Sequence, residues 1–252
     1  MPTCGAEVNR GKLTLLINAD AKSLELVAAA YLSQDKVLMN EIINKVPLHD
    51  DNQKRFNLPE RVIAKVFVFR LIYGGSAYSY SVDPDFASVG FSQKKWQETI
   101  DSFYEKYPEL AAWHVKIVQD VTLTGKLVLP TGRQFDYEPF ETPQGDLKWP
   151  RTTILNYPVQ GLGADLVMLA RISFWNRVRK FGLKTLLVST VHDSIVVDAP
   201  DEEVDTICQL FHDVFRDIPE NFKRMFGVEF NLPMTAEVLI GKTMGKMVEW
   251  KP

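Results

Sequence analysis

Two aspartates stand where packing has little use for a carboxylate. Asp20 closes the apolar run KLTLLINAD, and Asp193 interrupts LVSTVHDSIVVDAP between two β-branched runs. Alone, an aspartate at a strand end or turn commonly bonds its own backbone. As a pair on adjacent strand ends, the two could hold two divalent ions about 3.5–4 Å apart, the arrangement of in-line phosphoryl transfer. Mg²⁺ suits such a site, because it takes hard oxygen ligands and binds through one or two carboxylates plus substrate phosphates.

A second pattern is more specific. In PERVIAKVFVFRLIYGG, Arg61, Lys65, Phe69 and Tyr73 recur every four residues. Each step drifts by about 40° around a helix, so the four share one slowly turning face. A core face would not open with two cations, and a solvated face would not close with two aromatics. Cations suit a polyphosphate, and aromatic rings suit a sugar or base. The face is laid out to hold a nucleoside triphosphate lengthwise. The alternative is an amphipathic helix whose basic side chains snorkel.

The elements that must carry these residues follow from periodicity and breakers. A buried strand over 12–20 leads into a helix over SLELVAAAYLS. KVPLHDDNQKRFNLP, polar and bounded by prolines, reads as a loop. Pro59 suits the first turn of the ladder helix, and Gly74-Gly75 ends it with a flexible joint. A helical stretch over 91–121 breaks at Pro108. KLVLPTGRQFDYEP reads as a hairpin turning at Thr131-Gly132. TILNYPVQGLGADLVMLARISFWNRVRKFG reads as a loop entering a long helix that stops at Gly182. The stretch around Asp193 is a hairpin of two apolar strands. DEEVDTICQLFHDVFRDI is a helix with acids at its N-terminus, where the dipole favours them, and PMTAEVLIGKTMGKMVEW is a closing strand region. The order implies the α+β class, with antiparallel strands on one core and a helical insertion between them.

Composition bounds the partners. The chain has 252 residues, 46% hydrophobic and 24% charged, ordinary for a globular protein with a real core. Its net charge of −3 gives no general field for nucleic acid, so a nucleic-acid binder of this charge must localise its cations or share the grip. Cys4 and Cys208 have no metal-ligand spacing, which fits a reducing intracellular setting, with Cys208 a small core residue. No apolar leader and no bilayer-length apolar run is present, so a membrane is not expected.

DAKSLEL from Asp20, RVIAKVFVFRLIYGG from Arg61 and VHDS from Val191 occur in that order. They resemble motifs A, B and C of the family A, polymerase-I-like DNA polymerases. LPTGRQF, NYPVQGLGAD and the terminal GKTMGKMVEW are similar to further segments of that family, so the likeness runs from about Leu13 to Trp250. The resemblance implies an antiparallel-sheet palm with a helical fingers subdomain: 1–33 as the first palm part, 34–150 as fingers and connecting hairpin, 151–252 as long helix and second palm part. It implies that Asp20 and Asp193 hold two Mg²⁺ ions, and that Arg61 and Lys65 grip the triphosphate of the incoming dNTP. Lys65 would also protonate the leaving pyrophosphate. Phe69 would pack on the deoxyribose and disfavour dideoxynucleotides. Tyr73 would stack near the templating position, and Glu25 would exclude a 2′-hydroxyl. His192 would contact the primer terminus, while Gln160, Asn156 and Arg133 would touch primer–template DNA.

Departures from the family are equally specific. Ser194 stands where the family usually has Glu after the motif C aspartate. Ala21-Lys22 replace a common Tyr-Ser, Val27 stands where Arg is frequent, and Thr152 stands at a position that is commonly Arg, with Arg151 beside it. Only 19 residues precede Asp20, so thumb and exonuclease domains are expected to be absent, leaving palm and fingers alone. The resemblance then implies a phage-type split polymerase whose partner polypeptide supplies the thumb and/or 3′–5′ exonuclease, acting in the cytoplasm, a host's if the chain is viral. An excised fragment is the alternative. Two other functions remain open at this stage: a single-subunit RNA polymerase, which Phe69 and Glu25 disfavour, and a catalytically idle DNA-binding subunit, which the retained aspartates disfavour.

Overall fold

The computed structural model describes residues 14–251. Along the chain run β1 (Thr14–Ala21), α1 (Leu24–Ser33), α2 (Lys36–Ile43), α3 (Leu48–Arg55), α4 (Arg61–Ile72), α5 (Ala77–Val82), α6 (Gln93–Lys106) and α7 (Pro108–Thr124). Two short hairpins follow, β2 (Lys126–Val128) with β3 (Gln134–Asp136) and β4 (Phe140–Glu141) with β5 (Leu147–Lys148). Then come α8 (Arg151–Lys180), β6 (Leu186–Val191), β7 (Ser194–Pro200), α9 (Val204–Arg216), α10 (Ile218–Phe226), β8 (Ala236–Gly241) and β9 (Val248–Glu249).

These divide into two compact units. One comprises residues 14–22, Leu166–Ile218 and 234–251, and the other Ser23–Asp165 with Pro219–Pro233. The first is built on one antiparallel sheet of order β6-β7-β1-β8-β9. Alternation along β1 turns Ile17, Ala19 and Ala21 to the core, joined by Ile195, Val197, Ala199 and Val238 of the neighbouring strands. Helix α9 covers this sheet with Ile207, Cys208, Phe211 and Phe215, all fully buried. Cys208 is thus the expected core residue, whereas Cys4 lies outside the described residues, as do Lys12 and Leu13 of the expected first strand. Glu203, just before α9, is buried and accepts the backbone N–H groups of Lys184 and Thr185 and the Thr185 hydroxyl, at 2.7–3.0 Å. It therefore caps no helix but fastens the approach to β6.

The second unit is mainly helical. The rear of α4 (Ala64, Phe67, Val68, Leu71, Ile72) is buried. Phe67 sits among Phe56, Tyr80, Trp96 and Phe103, ring centres 5.1–6.2 Å away. Each such side chain contributes roughly 1.5–3 kcal/mol by burial, which fixes the helix and leaves its opposite face for other uses.

Two expectations are corrected. Residues 48–55 form α3 instead of a loop. Asp50 and Asp51 in its first turn and Lys54 and Arg55 in its last match the helix dipole. Leu48, His49 and Asn52 bury one side, and the helix packs on α4. The expected loop before the long helix is also helical, from Arg151 through Pro158. An interior proline costs about 3 kcal/mol, offset here by burial of Ile154, Leu155, Val159 and Leu162. The glycines that suggested a loop serve close packing: a Cβ on Gly161 would come within 2.6 Å of Phe135, and one on Gly163 within 3.1 Å of Leu24.

Candidate active site

In the sheet unit, antiparallel register places Asp20 of β1 opposite Ser194 of β7. The Ala21 N–H donates to the Asp193 carbonyl at 3.1 Å. Asp20 and Asp193 therefore lie on hydrogen-bonded neighbouring segments, both half-buried. His192 and Asp193 form the two-residue loop between β6 and β7, with His192 left-handed at φ 54°. A left-handed non-glycine residue costs roughly 1–2 kcal/mol, strain of the kind that gathers at functional sites. The Ser194 hydroxyl donates to the Val191 carbonyl at 3.0 Å and closes this loop.

Across the other edge of β1, Asp20 pairs with Glu237 of β8, a residue that no sequence pattern singled out. Like charges directly opposite on adjacent strands repel, and the Asp20–Glu237 pairing is one that a bound cation would relieve. The donor set is all hard oxygen, which fits Mg²⁺. Among the described residues no three His, Cys, Asp or Glu side chains converge on one point. The rest of a cation's shell would come from water and phosphate.

In the helical unit the ladder is present as spaced. Arg61 and Lys65 are exposed at the start of α4, and Phe69 and Tyr73 are half-buried at its end. The Lys65 ammonium lies 5.4 Å from the Phe69 ring centre. Tyr73 gathers three other predicted residues. Gln160 of α8 donates to its hydroxyl. Burial first, and the Glu25 carboxylate second, raise its phenol pKa well above the ordinary value. Asn156 lines a cavity with Tyr73. Gly74-Gly75 is a close-packed cap: Gly74 is left-handed at φ 85°, and a Cβ on Gly75 would sit 2.6 Å from the Tyr80 hydroxyl. Arg133 stands apart from this group. Its guanidinium bonds Asp165 at 2.5 Å, and Thr131 bonds the same carboxylate, pinning the β2–β3 turn to α8.

One residue against the ladder was missed. His49, on the unexpected α3, packs edge-on against Phe69 with ring centres 5.6 Å apart. Its neighbour Asp50 accepts from Arg61 at 3.2 Å. His49 is buried, and its Nδ1 has no hydrogen-bond partner. Burial, reinforced by Arg61 and Lys65, depresses its pKa to about 4. A lone histidine in a polar stretch carries no periodic signal, and only the docking of α3 on α4 brings it here.

His114 of α7 is depressed to about 4 as well, by burial and by Arg151, and its ring meets the Tyr104 hydroxyl at 3.0 Å. Both histidines stay neutral in the fold while the unfolded chain takes up protons below about pH 6.5. Stability present above that pH is therefore lost on acidification toward pH 4, at about 1.4 kcal/mol per pH unit for each histidine. Thermal unfolding between pH 7 and 4 is the check; His114→Met should flatten the dependence, and an unchanged slope would contradict it.

Comparison with known proteins gives a consistent result. The model of the family described as DNA polymerase family A matches residues 7–246. DNA polymerase I of Treponema pallidum is 27% identical over 244 residues, 91% of this chain and 23% of that protein. DNA polymerase I of Caldicellulosiruptor bescii is 27% identical over 205 residues, 78% of this chain and 24% of that one. The chain thus spans about a quarter of the length of these curated relatives. A structure described as the POL domain of Pol1 from M. smegmatis in complex with DNA primer-template and dNTP shares the fold. Its TM-score is 0.75 at 20% identity, and the match covers 93% of this chain and 40% of that one. No helix among the described residues is long and apolar enough to cross a membrane.

Proposed function

The chain belongs to DNA polymerase family A, and on that premise we propose that it is the nucleotidyl-transferring part of a template-directed DNA polymerase. The sheet unit serves as palm and the helical unit as fingers. The observation that carries this reading is the pairing of β1 with the β6–β7 hairpin, which joins Asp20 and Asp193 through adjacent backbone.

Asp20 and Asp193 would hold two Mg²⁺ ions, which when bound lower the pKa of the primer 3′-hydroxyl and stabilise charge on the phosphorus and on the departing pyrophosphate. The primer 3′-hydroxyl gives up its proton to water, its oxygen bonds the α-phosphorus, and the bond from that phosphorus to the bridging oxygen of pyrophosphate breaks. Arg61 and Lys65 grip the triphosphate, and Lys65 gives its proton to the leaving pyrophosphate. His49, neutral and wedged beneath the same face, keeps Phe69 upright for the deoxyribose. Tyr73, fixed by Gln160, closes the base end, and Glu25 bars a 2′-hydroxyl. His192 meets the primer terminus. Gln160 and Asn156 test the minor groove, whose degenerate acceptor pattern allows geometry to be sensed without reading sequence. Arg133 joins them if a phosphate draws it from Asp165.

Phosphate contacts dominate DNA affinity, and a net charge of −3 supplies little of that field. We assign the grip on the duplex to polypeptide beyond the matched region, such as a partner chain carrying thumb and/or 3′–5′ exonuclease in a split, phage-type enzyme.

The test is primer extension with Mg²⁺ and competing deoxy- and ribonucleotides. Deoxynucleotides should be incorporated preferentially, and Glu25→Ala should relax the preference by at least about tenfold, the scale of one lost steric or polar discrimination. Preferential ribonucleotide use by the unaltered chain would overturn the reading in favour of an RNA polymerase. Absence of extension with any candidate partner would favour an idle subunit.

A further inference from the structure

Arg70 lies on α4 immediately after Phe69, outside the four-residue ladder. Its guanidinium is held by two carboxylates, Asp83 and, at 2.6 Å, Asp85. It also lies over the Phe86 ring, 5.2 Å from its centre. All three partners come from the short segment after α5. One positive charge thus faces two negative ones, and Asp83 is further occupied in accepting the Asp85 N–H at 2.9 Å. The Asp85 side chain is 64% exposed, so its ion pair with Arg70 is screened by water and worth little.

Arg70 borders an open cleft of about 430 Å³. The cavity is also lined by Tyr73, Asp83, Thr152, Asn156 and Tyr157. Two aromatic rings with an amide and a hydroxyl are the mixture that takes an unstacked base. A guanidinium at the rim, with donors left over from its carboxylates, matches the phosphate such a base would bring, because the arginine fork binds phosphate through two parallel bonds.

We propose that Arg70 is a binding residue for a phosphate of the unpaired template strand, and that the phosphate replaces Asp85 as its partner while Asp83 stays. The proposal rests on the polymerase reading. It assigns Arg70 a second partner and gives Asp85 the role of a competing internal anion.

Binding of a labelled primer–template with a 5′ single-stranded template overhang, measured against salt concentration and compared with a blunt duplex, tests it. Arg70→Gln should lower the salt slope for the overhang substrate by about one and weaken overhang binding, with blunt-duplex binding unchanged. Asp85→Asn should tighten overhang binding, because the competing anion is gone. Should Arg70→Gln fail to fold, Asp85→Asn decides alone, and overhang affinity equal to the parent's overturns the proposal. A parent chain that binds and extends the overhang substrate, with Arg70→Gln matching it in slope and affinity, overturns this proposal and leaves the polymerase reading standing. A parent chain that neither binds nor extends any primer–template even when supplemented with the partner polypeptide overturns both.

Discussion

Asp193→Asn is expected to reduce primer extension by about a thousandfold or more while the protein stays folded. The carboxylate would be asked for several kcal/mol of charge stabilisation in the transition state, and each 1.36 kcal/mol is tenfold in rate. Folding should be indifferent, because Asp193 serves the sheet through its backbone carbonyl, which receives the Ala21 N–H, and asparagine suits a turn as well as aspartate does. The loss should fall on turnover, with nucleotide binding little changed, as for an interaction made in the transition state. Asp20→Asn should lose extension to a similar extent. Single-turnover extension read beside a thermal melt provides the check, and extension at the parental rate by either variant would remove the metal role from that residue.

Lys65→Ala should lower the chemical rate by roughly a hundredfold to ten-thousandfold, the usual contribution of a positioned general acid. Lys65 is exposed on α4, so its replacement should leave stability within about 0.5 kcal/mol. Lys65→Arg separates its two jobs. Arginine keeps the charge that holds the triphosphate but does not release a proton in this range. It should therefore restore nucleotide KM without restoring the rate. A Lys65→Arg chain as fast as the parent would show that the lysine only binds.

Much of this arrangement was legible in sequence because it is local. The ladder is a four-residue period within one helix, and the polar tip between two β-branched runs marks a hairpin whatever the rest of the chain does. What escaped was set by contacts between distant segments or by composition that argues the wrong way. Helix α3 is too polar for its periodicity to register, and it exists because it docks on α4 and matches its own dipole. Pro158, Gly161 and Gly163 read as a loop, yet the two glycines are small for packing, against Phe135 and Leu24. His49 and Glu237 have no pattern of their own. One reaches Phe69 through helix docking, and the other reaches Asp20 through strand register across more than two hundred residues.

The strand order carries a last consequence, for how the chain is made. Of the described elements the central strand β1 is made before the others, and its two partners, β7 and β8, follow only after all the helices of the helical unit but α10. At ribosomal speeds of about 5–20 residues per second, β1 waits roughly 9–36 seconds for β7 with both edges open. Such an apolar strand is a template for wrong pairing while it waits, and closing so long a loop makes sheet formation slow. The helical unit can nucleate earlier on its own aromatic cluster, so the two aspartates would meet only after the helical insertion between their strands has been made.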